Sequence, residues 1–71
     1  MNINQKFGQR IKALRKAKGL SQEQLANLAE IDRTYLLAVE RGERNISLIV
    51  AEKIAIALGE QLSQLLTENC F

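Results

Sequence analysis

The stretch from Ser21 to Arg41, SQEQLANLAEIDRTYLLAVER, leaves this chain few choices of fold. Ser21 and Gln24 stand at the spacing of a capping box, so a helix should begin at Ser21. Leu25, Ala26, Leu28 and Ala29 give that helix a short apolar face. Glu30 and Ile31 fall where the chain must turn. Asp32 is a second N-cap, and Leu36 and Val39 carry the apolar face of the helix that follows. Ala26 is small where the two helices must cross closely.

Two short helices joined steeply by a tight turn describe a helix-turn-helix. Leu25, Ala26, Ala29, Ile31, Leu36 and Val39 match the inward positions of that motif one for one. A tight hairpin inside any small helical bundle is the lesser reading, and the motif predicts DNA binding.

The flanks read as helices too. Ile3, Phe7, Ile11 and Leu14 recur at helical spacing, so a first helix is expected from about Ile3 to Lys18 with those residues buried. Lys12 and Lys16 project from its other face, Arg10 and Arg15 flank the stripe, and Gly19 suits the position just past a helix end. Gly42 ends the third helix. Glu43 to Ile46 form a short polar loop, and Ser47 caps a fourth helix. Leu48, Ala51, Ile54, Ala55 and Leu58 should face the core from it, and Gly59 closes it. A short fifth helix runs from about Gln61 to Leu66, and Thr67 to Phe71 are expected to fray. The expected fold is all-α, one domain over residues 1–71 with the helix-turn-helix at 21–41.

The 71 residues lie near the lower size limit for independent folding, and 46% hydrophobic content suffices for one small core. No apolar run approaches the roughly 20 residues needed to span a bilayer, and the polar N-terminus is no secretory signal. Cys70 is the single cysteine, read as incidental, and the chain has no histidine. No metal site, cofactor or enzymatic activity is therefore expected, and the cytoplasm is the expected location. Net charge is only +2, but residues 1–20 carry six bases and no acid. That asymmetry suggests a field facing a polyanion, although a solvated helix face would give the same run.

Candidate contacts follow from the motif. The N-terminus of the second helix offers free N–H groups and a positive dipole end, with the Gln22 amide beside them. The third helix is the candidate recognition helix. Arg33, Thr34 and Leu37 lie on its outward face with Tyr35 beside them, and Arg33 has the fork that pairs with guanine O6 and N7. Arg41, Arg44 and Asn45 follow the helix and suit flanking phosphates.

The segments RIKALRKAKGLSQEQLANLAEIDRTYL, ERGERNISL and KIAIALG resemble the Cro and phage-repressor-like helix-turn-helix family over almost the whole chain. DRTY at Asp32–Tyr35 and ERGERNIS at Glu40–Ser47 are most similar to restriction–modification controller proteins. The resemblance implies a five-helix, lambda-repressor-like fold and a symmetric dimer through the C-terminal helices, about residues 47–66. It implies Arg33, Thr34 and Tyr35 at the DNA and a structural ion pair between Arg15 and Glu40. It also implies a regulator that binds operators beside its own gene and the endonuclease gene, activating and then repressing, with RNA polymerase as a further candidate partner. A generic phage-type repressor and a DNA-binding antitoxin are the alternatives. The chain departs from the family at Leu37 and Ala38, where small or polar residues are usual. That apolar surface suits thymine methyl groups or else weakens base reading.

Ile49 and Ile56 fall opposite the expected core arc of the fourth helix, and Leu62, Leu65 and Leu66 add apolar surface on the fifth. A second apolar stripe of this kind marks a homodimer interface, the alternative being packing on the chain's own C-terminal tail.

Overall fold

A computed structural model describes residues 2–66, Leu66 by its backbone alone; Cys70 and the expected fraying of Thr67 to Phe71 lie outside the described residues. Among the described residues five helices follow one another: α1 (Ile3–Ala17), α2 (Gln22–Ala29), α3 (Arg33–Glu40), α4 (Leu48–Leu58) and α5 (Leu62–Leu66). Each of the first four starts on a polar cap. At α1 the Asn2 side chain accepts the Gln5 N–H at 2.8 Å, and the Gln5 side chain accepts the Asn2 N–H at 3.1 Å. Ser21 and Gln24 close the same reciprocal box at α2, at 3.0 and 2.8 Å. The Asp32 carboxylate accepts the Thr34 N–H, and the Ser47 hydroxyl accepts that of Val50. Two orphan donors are satisfied at each box.

The turn between α2 and α3 is made by Glu30, which sits in the left-handed region at φ 59° and ψ 43°. The Ile31 N–H then donates back to the Ala26 carbonyl at 2.9 Å, which sends the chain sharply into α3. A left-handed conformation costs a residue with a Cβ about 1–2 kcal/mol, so this turn is held by its surroundings.

The core is one cluster. Phe7 and Ile11 of α1, Leu25, Ala26 and Ala29 of α2, Leu36 and Val39 of α3, Ala51, Ile54, Ala55 and Leu58 of α4, and Leu65 of α5 are all buried. α2 packs chiefly on α4, and α1 on α3. The second contact depends on Gly8: a Cβ there would lie 2.8 Å from the Glu40 carbonyl oxygen and closer still to that of Val39. The backbone of α1 therefore rests directly on the last turn of α3.

Three residues expected in the core are exposed instead: Ile3 at 60%, Leu28 at 58% and Leu48 at 74%. Ile3 is the first residue of α1, one turn beyond Phe7, where the buried stripe begins. Leu28 falls about 100° from the centre of the arc set by Leu25, Ala26 and Ala29, at 100° per residue. Leu48 falls about 70° from the centre of the arc of Ala51, Ile54, Ala55 and Leu58 by the same geometry, and Ile46 and Val50 pack against the core instead. Leu65 is the converse case. Expected at an intermolecular surface, it is fully buried in its own chain, because α5 folds back onto both α4 and α1.

Candidate nucleic-acid interface

The outer face of α3 and the loop after it carry the polar groups of interest. Arg33 and Thr34 are exposed in the first turn of α3, while Tyr35, Leu37 and Ala38 are half-buried along it. The Arg33 guanidinium lies 3.9 Å from the Glu23 carboxylate of α2, with the two side chains 60% and 69% exposed. An exposed pair of this length contributes about 0–1 kcal/mol, so Arg33 can leave Glu23 for a better acceptor at little cost.

The loop from Arg41 to Ile46 folds back beside α3. Gly42 begins it with φ +75°, and a Cβ there would meet the Gln5 backbone and side chain of α1 within 3.0 Å. Gly42 is thus required twice, for its left-handed backbone and for its close approach to α1. Two residues on, the Arg44 guanidinium lies over the Tyr35 ring, 5.0 Å from its centroid. That cation–π contact contributes about 0.5–1 kcal/mol at an exposed site. Asn45 is held from the other side, its Oδ1 accepting from the Asn4 amide at 2.7 Å. Asp32, Thr34, Tyr35, Ala38, Glu43 and Arg44 enclose an open depression of about 570 Å³ beside the exposed edge of α3. Arg41 is exposed at the end of the helix.

Beneath this face is a buried charged cluster. Glu40, the last residue of α3, accepts from Arg15 Nε at 2.8 Å and from Arg15 Nη2 at 3.2 Å. Arg15 Nη1 donates to the Leu20 carbonyl at 2.9 Å, and Gln22 Nε2 donates to Glu40 Oε1 at 3.3 Å. The Arg15 and Glu40 side chains are 8% and 3% exposed. This bidentate arrangement ties α1, the α2 N-terminus and α3 into one unit, and it sets the angle at which α3 is presented.

The residues expected at the DNA fall into groups. Thr34, Tyr35 and Arg44 line the depression, Arg33 is exposed toward Glu23 of α2, Asn45 is exposed against Asn4 of α1, Leu37 lies half-buried along α3, and Arg41 is exposed at its end. Gln22 is different, because its amide is engaged with Glu40 in the underlying cluster. The Ser21 box leaves the N–H groups of Gln22 and Glu23 as the free donors of α2. Two residues escaped sequence reasoning. Glu23 meets Arg33 across the turn, and a helical-wheel pairing of the two helices would have found it. Asn4 meets Asn45 across 41 residues of chain, and no local signal marks that contact. Among the described residues no group of acidic, histidine or cysteine side chains is arranged to hold a metal ion, and no helix is long and apolar enough to cross a membrane.

Comparison with known proteins agrees with this geometry. Residues 11–65 match the helix-turn-helix family. The control protein C.MunI of a Mycoplasma species is 46% identical, over 94% of this chain and 92% of its own length. The crystal structure of the restriction–modification controller protein C.AhdI from Aeromonas hydrophila superposes with a TM-score of 0.86 at 53% identity, covering 87% of this chain and 94% of that one. The biofilm master regulator SinR, in complex with DNA, superposes with a TM-score of 0.82 at 39% identity, covering 86% of this chain and 98% of that one.

Proposed function

The chain belongs to the helix-turn-helix family, and on that premise we propose that it is a restriction–modification controller, a dimeric regulator that reads an operator at its own and the endonuclease promoter. One observation carries the reading. Arg33 and Thr34 are exposed on the first turn of α3, and Arg33 and the adjoining Tyr35–Arg44 pair have only weak, exposed partners. An arginine so placed pairs bidentately with guanine in the major groove, and a nearby threonine bonds base or phosphate. The N–H groups at the start of α2, Arg41, Arg44 and Asn45 supply phosphate contacts that fix the register. Leu37 and Ala38 offer apolar surface to thymine methyl groups.

The dimer is supported by α4. Leu48, Ile49 and Ile56 are 74%, 71% and 67% exposed, an apolar strip on a helix whose opposite face already fills the core. Leu62, half-buried, adjoins the core on α5, and Leu66 belongs to the same turn of sequence. One copy measures 27 × 22 × 21 Å, too small to reach two half-sites about 34 Å apart, whereas a twofold pair of copies spans them. A regulator of this kind acts in the cytoplasm as a binding protein and not an enzyme, and recruitment of RNA polymerase would account for activation.

A gel shift against the DNA upstream of the chain's own gene tests the proposal. A retarded complex that survives excess random duplex supports it. Equal competition by random duplex contradicts it, and copurification of a second protein would favour an antitoxin.

A further inference from the structure

The geometry points to Asn4, on the first turn of α1, as the positioning residue that turns the Asn45 amide toward phosphate. The inference rests on the DNA-binding reading above and adds a residue that lies outside the helix-turn-helix.

An asparagine amide has an accepting end and a donating end. Phosphate oxygens only accept, so an asparagine serves them only when its NH2 group faces out. In this chain Asn45 Oδ1 is committed to Asn4 Nδ2 at 2.7 Å, and no acceptor within the described residues takes Asn45 Nδ2. With Asn4 as the donor, the Asn45 amide is held in the orientation that leaves both Nδ2 hydrogens available. The backbone that carries Asn4 is itself fixed twice. It lies between Asn2 and Gln5, whose reciprocal capping bonds lock the first turn of α1. The loop is also pressed onto that same turn at Gly42, where a Cβ would be within 3.0 Å of the Gln5 backbone.

The neighbouring residue is prepared in a parallel way. Arg44 rests on the Tyr35 ring of α3, so a cation and an amide donor, adjacent in sequence, are held from two different helices. A donor already in place loses less conformational freedom on binding than one that must be ordered.

Fluorescence anisotropy on two duplexes of equal length and composition, one from the upstream DNA and one scrambled, tests this with Asn4→Ala, Asn45→Ala, the double variant and Asn45→Asp. Asn4→Ala should weaken binding to both duplexes alike, by about two- to fivefold per subunit, and Asn45→Ala at least as much, the scale of one hydrogen bond in each copy. The double variant should bind no more weakly than Asn45→Ala, because Asn4 acts through Asn45. The dependence on salt should not change in the alanine variants, since a neutral amide displaces no counterion. Asn45→Asp keeps an acceptor for Asn4, so the loop contact survives, but it turns an oxygen toward phosphate and should bind worst of all.

Wild-type affinity in Asn4→Ala or in Asn45→Asp overturns the assignment. Losses that multiply in the double variant overturn it as well, by giving Asn4 a contact of its own. If both duplexes bind equally, the operator-reading proposal fails while the amide assignment is still decided on the scrambled duplex. If neither binds, both fail.

Discussion

Removing Arg15 should cost this protein a large part of its stability, while removing Arg15 and Glu40 together should cost less. In Arg15→Met the Glu40 carboxylate, 3% exposed, loses donors at 2.8 and 3.2 Å and keeps only Gln22 at 3.3 Å. The Leu20 carbonyl loses its donor too. Breaking a buried ion pair from one side costs about 3–5 kcal/mol, because the remaining charge stays desolvated. A domain of this length has about 4–11 kcal/mol of stability in all. At about 4–8 °C per kcal/mol for a small domain, the melting temperature should fall by at least about 12 °C. Arg15→Met with Glu40→Leu leaves no buried charge. Its remaining cost is the unpaired Leu20 carbonyl, about 1–3 kcal/mol, with a smaller loss at the half-buried Gln22 amide, which loses its Glu40 acceptor. Urea titrations followed by far-ultraviolet circular dichroism give the comparison, with shifts in midpoint at constant slope reporting stability. Additive losses in the double variant, or an Arg15→Met protein that melts like the wild type, would refute the reasoning.

Arg33→Ala should lower operator affinity by about 1–3 kcal/mol more than affinity for random DNA; equal losses would mean that Arg33 touches only phosphate. Arg44→Ala should flatten the plot of log affinity against log salt by about 0.9 per subunit, and an unchanged slope would place Arg44 off the DNA. Ile49→Glu with Ile56→Lys should sediment as a folded or partly folded monomer with poor operator binding; a dimer of unchanged affinity would place the interface elsewhere. Glu30→Gly should raise stability by about 0.5–1 kcal/mol in thermal melts, since relief of the left-handed strain exceeds the added entropy of glycine in the unfolded chain. No gain there would mean that the Glu30 turn is unstrained.

The helices were legible because their signals are local. Ser21 with Gln24, Asp32 and Ser47 are caps readable from adjacent residues, and Leu25, Ala29, Leu36 and Val39 repeat at the helical period. Asn2 with Gln5 is the same kind of box, ahead of the apolar stripe of α1. The errors at Ile3, Leu28 and Leu48 have two causes. Periodicity does not tell where along the axis the neighbouring helix ends, which exposes Ile3, nor how wide the buried arc is, which leaves Leu28 and Leu48 outside it. Gly8 has no pattern of its own, and its role exists only once α1 meets α3. The exposed positions of α3 were legible, because its outward face is set by its inward one. Asn4 was not, because its partner is brought to it by the whole fold.

Hydroxyl-radical footprinting of the DNA upstream of this chain's gene tests the central claim most directly, since it reads sequence recognition and two-copy geometry in one measurement. The account predicts two protected half-sites on one face of the duplex, centred about one helical turn, roughly 34 Å, apart, and both lost together in the Ile49→Glu, Ile56→Lys protein. Uniform weak protection along the fragment, or a single half-site untouched by that double substitution, would contradict it.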